Sequence, residues 1–379
     1  MALFHSPSIT SSGLIFYYDA ANTQKSWKGP PTTNVLLDTD NLATGNWSYT
    51  LFGNWPATGA TANAGTAPDG TQTATRLSAS GYSRFQRYAV SANQTYTFSM
   101  WVKNISMTGV IGIQLATGLN GTLVAYGSYY TSVSLTADWA RYSYTITIPA
   151  SGVNQLEVGL NVSPNYSNSN VFCDVWQPQL ELQSFATPFV AGTRSSTQAL
   201  LDLTKNYTLT PSNVTYNSNG TFSFSNSYFD LNSNNIITGN NPFTVEAWYT
   251  TTGTTSDEIF GNYGSGSTSG TLWISGRYGT YISGSVYFPG APMGAGTYFL
   301  STTRDRSGNV ILYRNGVQVT TGVLAASIPV TYNFRIGADV NGGAKPFTGS
   351  IHSVKVYNRV LTAAEVAQNF NAHRGRYGV

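Results

Sequence analysis

The 379-residue sequence contains a single cysteine, Cys173, so no disulfide can form within the chain. Its neighbours Val171, Phe172, Val175 and Trp176 are apolar, which predicts a buried, inert thiol. Charge is equally scarce: Asp, Glu, Lys and Arg supply 9% of the residues, against roughly 25% in ordinary soluble domains. The net charge is +3 and no dense Lys/Arg patch occurs, which argues against a nucleic-acid partner. Apolar runs such as Gly13-Leu14-Ile15-Phe16-Tyr17-Tyr18 fall far short of the roughly 20 residues of a membrane helix, so no membrane insertion is expected. The opening residues 1–7 lack the basic segment, apolar stretch and small-residue cleavage site of a secretory leader, which predicts synthesis and retention in a cytoplasm or exit by another route. His5, His352 and His373 are far apart, no Cys-x-x-Cys occurs, and no Gly-x-Ser-x-Gly elbow stands out. Transition-metal and serine-nucleophile chemistry are therefore not expected.

What fills the chain instead is Asn, Ser, Thr, 38 Gly, 25 Tyr and 13% aromatic residues, a mixture suited to strands and turns. Period-2 alternation confirms the preference. Tyr96, Phe98, Met100 and Val102 alternate with Thr97, Ser99, Trp101 and Lys103, predicting a strand with one core face and one partly open face. Tyr142, Tyr144, Ile146 and Ile148, and Leu156, Val158, Leu160 and Val162, make two more strands of this kind. Residues 309–314 and 317–319 flank Asn315-Gly316, a type I′ hairpin signal. Thr362 with Glu365 forms a capping box before Val366 and Phe370, predicting a short helix near the C-terminus. The fold class is therefore all-β, of β-sandwich or jelly-roll type, with a short C-terminal helix.

Several segments carry a family resemblance. Asn241 to Tyr249, Gly308 to Gly316 and Phe347 to Thr362 together resemble the concanavalin A-like, laminin-G or pentraxin-type jelly roll. Asn41 to Trp55, Ala67 to Leu77, Tyr96 to Lys103, Trp139 to Tyr142 and Val175 to Leu182 resemble a carbohydrate-binding-module jelly roll of the family 4/9 type. The closing phrase Phe185 to Val190, and the C-terminus Phe370 to Val379, resemble bacteriophage virion proteins. Gly13 to Asn22 resembles the first strand of the laminin-G-like domain, whose next element looks like Leu201 to Asn206. This implies two β-sandwich jelly rolls: an arm and first strand at 1–35, an inserted module at 36–192, and the remainder of the outer domain at 193–379, with residues 13–22 returning to pair near 351–357. The alternative is two consecutive domains with residues 1–35 as an arm.

Carbohydrate binding uses exposed aromatic faces beside polar side chains. In the inserted module Trp47, Trp55, Tyr82, Arg84, Gln86 and Trp101 are the candidates, while Trp139, Trp176 and Trp248 are assigned to cores. In the outer domain the loop Tyr263 to Gly270 and the segment Trp273 to Tyr281 could line a concave face. Both resemblances imply calcium as a cofactor, with Asp339, Asn341 and Asp19 in the outer domain and Asp69, Asp174 or Glu181 in the inner one. Where relatives often carry an acidic pair after the strand isoleucine, this chain has His352-Ser353. A glycosidase would need two carboxylates about 5 to 10 Å apart. The acidic strand pattern of glucanases is absent, Asp257-Glu258 reads as a solvated turn, and Glu246 reads as structural.

The leading functional expectation is a non-catalytic phage virion surface protein, a fibre, adhesin or decoration component. Its partners would be other virion proteins and host surface polysaccharide, and its location the virion. The alternatives are a purely architectural capsid or tail protein and a polysaccharide-degrading enzyme. No coiled coil or collagen-like stalk is present, so any homo-oligomer would form through surface patches.

Overall fold

The structure is a computed structural model that describes residues 8–22, 25–47, 59–78, 84–106, 110–120, 122–125, 130–161, 172–217, 222–225, 227–253, 258–262, 272–275, 279–282, 285–287, 294–338 and 346–379. The chain divides into two compact units. The first joins Met1–Pro30 to Ser195–Val379, and the second is Pro31–Arg194.

In the first unit, six antiparallel strands form one sheet in the order Leu14–Asp19, Gly349–Tyr357, Phe243–Thr251, Gly296–Arg304, Asn309–Arg314, Val317–Val323. Leu14–Asp19 runs against Gly349–Tyr357, from Leu14 opposite Tyr357 to Asp19 opposite Ser353. A seven-stranded sheet runs Thr210–Ser212, Tyr228–Asp230, Arg335–Ile336, Glu258–Gly261, Leu272–Ser275, Gly279–Ile282, Ser285–Tyr287. Phe16, Tyr18, Trp27, Phe229, Val245, Phe260, Leu312, Phe334 and Val354 belong to one buried core. The Asn315-Gly316 hairpin forms as expected, with both residues at positive φ, 49° and 78°.

The C-terminal helix is longer than the sequence suggested, fifteen residues from Ala363 to Tyr377. Its capping box is made in both directions between Thr362 and Glu365, and Gly378 closes it in the left-handed conformation. Val366 and Phe370 pack on Trp248, Phe299 and Tyr313 in a second apolar cluster. A Cβ on Gly316 would lie 2.9 Å from the Phe370 ring, so the hairpin glycine serves this packing as well as the turn.

The second unit also has two sheets. One runs Ala140–Thr147, Thr95–Asn104, Phe172–Glu181, Ala74–Ser78, Ala60–Gly65. The other runs Arg84–Ala89, Gln155–Asn161, Val110–Leu119, Thr122–Ala125, with Tyr130–Ser134 also pairing to Val110–Leu119. Their core holds Phe98, Met100, Val102, Ile146, Val158, Leu160, Val175 and the buried thiol of Cys173. Burial pushes that thiol far up from its ordinary pKa, which removes its nucleophilic form. The unit begins and ends as a two-stranded ribbon, with Thr33 opposite Thr193 and Thr32 opposite Arg194.

Candidate functional site

The alternation in Thr95–Asn104 fixes two faces: Phe98, Met100 and Val102 are core, so Thr97, Ser99, Trp101 and Lys103 lie on the opposite face of the five-stranded sheet. The neighbouring strand follows the same rule. Cys173 and Val175 are core, which turns Asp174 and Trp176 outward. Register then sets Trp176 directly opposite Trp101, and Trp101 opposite Arg141. Directly opposed residues have Cβ atoms about 5 Å apart, so two half-buried indoles stand side by side.

One half of this face is closed. Glu181, Gln179, Thr97 and Ser99 are fully buried. The Glu181 carboxylate accepts from the Thr187 N–H at 2.8 Å, the Thr187 hydroxyl at 2.7 Å and Gln179 Nε2 at 2.7 Å. Arg141 donates to the Thr187 carbonyl at 2.6 Å and to Ser99 Oγ at 2.8 Å, and burial lowers its pKa against the pull of Glu181. The segment that crosses here thus ties itself to the sheet and leaves only the tryptophan half open.

The open half is rigidly supported. Asp174, 2% exposed, takes a two-pronged ion pair from Arg76 at 2.8 and 3.0 Å. A Cβ on Gly65 would sit 2.1 Å from Asp174 Oδ2, so glycine leaves the room this carboxylate needs. After Trp176 the register shifts and resumes at Gln179, with Gln177 at φ 49°, a bulge that ends the aromatic row.

Trp176 also lines a cleft of about 560 Å³ with Gln177, Phe189, Leu36, Asp38, Asp40, Asp69, Thr71 and Thr73. A hydrogen-bond relay runs along it. Trp176 Nε1 donates to Thr73 Oγ1 at 3.1 Å, the Thr73 and Thr71 hydroxyls are 2.7 Å apart, and Thr71 donates to Asp69 Oδ1 at 2.7 Å. Because Thr71 gives its proton to Asp69, Thr73 must give its own to Thr71, and every donor points toward the carboxylate. The Thr71 contacts hold Asp69 below the ordinary carboxylate range. The indole N–H is thereby committed and its ring orientation fixed.

The residues singled out from sequence fall in different places. Trp101 is in the open row, and Asp69 is on the cleft, where it caps its own turn through the Thr71 N–H and hydroxyl. Trp47 is a correction: it is fully buried and donates from Nε1 to the carbonyls of Leu37 and Asp38 at 3.0 and 3.1 Å. Gln86 is another, at 6% exposure, pairing with the Leu37 N–H and carbonyl at 2.7 and 3.0 Å. Neither can meet a sugar, and both brace the Leu37–Asp38 backbone that lines the cleft. Arg84 lies opposite Leu160, with its side chain outside the described residues. Trp55, Tyr82, Asp339, Asn341 and the loop 263–270 also lie outside them. Trp273 and Tyr281 are paired in register, and only their backbone is described.

Two tryptophans assigned to cores are not core residues. Trp176 and Trp139 are half-buried, and Trp139 donates to the Thr66 carbonyl at 3.0 Å, whereas Trp248 is fully buried as expected. The missed signal is the parity of Trp176 against Cys173 and Val175.

The proposed cation ligands among the described residues are engaged elsewhere. Asp19, 1% exposed, pairs with Arg376 at 2.6 Å and accepts from the Tyr17 hydroxyl at 3.0 Å. Asp174 and Glu181 are held as above, and no cluster of three or more His, Cys, Asp or Glu suited to a metal occurs among the described residues. Glu246 is sealed beneath the helix, 3.7 Å from Lys355 Nζ and 2.9 Å from the Asn369 amide that donates to it. Burial raises its pKa to about 7 against the pull of Lys355, which is itself lowered. Glu258 is fully buried too, in place of the solvated turn expected for Asp257-Glu258, and Asp257 lies outside the described residues.

The two packed antiparallel sheets of the first unit, leading through Gly349–Tyr357 into a capped helix, have a counterpart among known families. Residues 219–367 match the concanavalin A-like lectin/glucanases superfamily. This superfamily domain lies wholly within the first unit and covers less than half of the chain. Similar solved structures include domain 4 of AbnA, an extracellular arabinanase from Geobacillus stearothermophilus, in complex with arabinotriose. It has 18% identity and a TM-score of 0.37, over 44% of this chain and 91% of that one. NanB sialidase from Streptococcus pneumoniae has 16% identity and a TM-score of 0.32, over 39% of this chain and 27% of that one. The binding domain of botulinum neurotoxin DC, in complex with rat synaptotagmin II, has 14% identity and a TM-score of 0.35, over 46% of this chain and 49% of that one. The chain thus spans about half of that binding domain and about a quarter of the sialidase. No curated protein sequence matches it.

Proposed function

We propose that this chain is a non-catalytic carbohydrate-binding protein whose second unit holds an uncharged glycan against the Trp101–Trp176 row. The observation that carries this reading is the pair of half-buried indoles in direct register, one of them locked by its N–H into the Thr73–Thr71–Asp69 relay. A ring fixed before binding loses little entropy on meeting a sugar, and its apolar face suits the C–H surface of a pyranose. Asp38, Asp40 and Asp69 along the adjoining cleft accept hydrogen bonds from hydroxyl groups and repel acidic sugars. The superfamily domain in the first unit is consistent with a lectin-type protein. A binding role without bond cleavage is supported by the sealing of Asp174, Glu181 and Glu246 against internal partners.

The setting we propose is a bacteriophage virion surface, where the protein attaches to host polysaccharide beside other virion proteins. The phrases Phe185 to Val190 and Phe370 to Val379 support that setting by their resemblance to virion proteins. The site is tested by calorimetric titration with a panel of neutral oligosaccharides. Trp101→Ala and Trp176→Ala are each expected to weaken binding at least tenfold with the melting temperature little changed. Unaltered binding in both variants would overturn the site. The setting is tested by probing purified virions with antibody to the protein, and absence from particles would refute it.

A further inference from the structure

The first unit contains a cleft of about 710 Å³ bordered by Lys25, Lys28 and Lys205, half of the chain's six lysines. In a protein with so little charge, this gathering is conspicuous. Among the described residues, the acidic residue on the cleft is Asp202, 4% exposed and fully occupied. Its Oδ1 accepts from the N–H groups of Tyr17 and Thr204, both at 3.0 Å. Its Oδ2 accepts from the Thr204 hydroxyl at 2.7 Å, Asn206 N–H at 3.0 Å and Tyr207 N–H at 3.1 Å. A carboxylate so engaged folds the turn and has little capacity left to pair with Lys25 or Lys205.

That turn holds Lys205 at φ 64°, a left-handed conformation a lysine rarely adopts, with the surrounding bonds to Asp202 over-determining it. The other two lysines are positioned by a separate staple. Lys28 N–H donates to the Ala199 carbonyl at 2.9 Å, Leu201 N–H to the Ser26 carbonyl at 2.8 Å, and Ser26 Oγ to the Leu201 carbonyl at 2.7 Å. Both lysine-bearing segments are therefore built into the fold, while the side chains of Lys25 and Lys205 remain exposed.

We infer that this cleft is a second ligand site, specific for an acidic saccharide bearing carboxylate or sulfate groups. The exposed ammonium groups of Lys25 and Lys205, drawn from two segments, match charges spread along a sugar chain. Thr197, Thr208 and Tyr207 supply hydroxyls, and Leu201, 37% exposed, supplies apolar surface for a ring face. The site is independent of the neutral-glycan site of the second unit and has the opposite charge preference.

The test titrates the full-length protein with oligogalacturonate, a sulfated glucan oligosaccharide, a neutral oligosaccharide of equal length and single-stranded DNA, at low and high salt. Binding of at least one acidic saccharide, weakened by salt and at least tenfold tighter than the neutral one, is the expected result. In Lys25→Gln/Lys205→Asn that binding falls at least tenfold, with Asn chosen at 205 because it accepts the left-handed backbone. Trp101→Ala/Trp176→Ala leaves it unchanged, which separates this site from the first. Binding to neither acidic saccharide, equal binding of DNA, or an unaffected lysine variant whose circular dichroism matches the parent would overturn the inference. So would loss of acidic binding in the tryptophan variant.

Discussion

Thr73 is small and uncharged, yet the orientation of Trp176 depends on it through one hydrogen bond in and one out. Thr73→Val keeps the shape and removes both, leaving the indole N–H without its acceptor. A hydrogen bond of this kind contributes about 1 kcal/mol, so neutral-glycan affinity is expected to fall roughly fivefold while the melting temperature moves little. Titration calorimetry beside a thermal melt checks it, and a full-strength variant would show the relay to be incidental. At this scale the sequence was readable where parity alone decides, as for Trp101 against Met100 and Val102. Parity also reaches Trp176 once Cys173 and Val175 are taken as core. It fails for Trp47, which lies on a 3-10 turn with no alternation, and for Gln86, whose partner is the remote backbone of Leu37.

The C-terminal helix shows how an element can be half legible. Its start was encoded locally by Thr362 and Glu365, but residues 371–377 have no apolar period and include Gly375, so nothing local extends it. Distant partners do: Arg376 pairs with Asp19, and the Tyr377 ring lies tilted against Trp248 at 4.6 Å and stacks on His352 at 5.1 Å. Burial lowers the pKa of His352 to about 4 and of His373 to about 3. Asp19 opposes the shift at both, while Lys355 and Arg376 add to it at His373. Depressed histidine values mean that the unfolded chain takes up protons first as pH drops below about 6.5. Stability from these groups is whole above that value and declines toward pH 4. Glu246, raised to about 7, works in the opposite direction and offsets part of the loss. The melting temperature of the first unit is expected to be lower at pH 4.5 than at pH 7, and His352→Gln to narrow the gap. Calorimetry at the two pH values measures both, and a flat profile in the parent would contradict the assignment.

Across the whole molecule, each unit has its own core, and each brings its chain ends together. Thr32–Thr33 pairs with Thr193–Arg194 at the border of the second, while Trp27 bridges Leu200 in the first. Replacing residues 31–194 by a short Gly-Ser linker is therefore expected to leave a first unit that melts cooperatively. Residues 31–194 alone are expected to retain neutral-glycan binding. Residues 193–379 alone lack Phe16, Tyr18 and Trp27 from the core and leave Gly349–Tyr357 without its outer partner, so they should fail to give a sharp melt. Fluorescence melts of the three fragments distinguish these outcomes, and a cooperative 193–379 would refute the dependence on the first strand. The pairing of Leu14–Asp19 with Gly349–Tyr357 also imposes an order in time. Tyr18 donates to the carbonyl of Ile351, 333 residues later, which at 5–20 residues per second is roughly 17 to 70 s of synthesis. Through that interval the first strand is made but has no partner, and by its end all of Pro31–Arg194 has left the ribosome. The second unit is free to fold first, and the first unit is completed only after it.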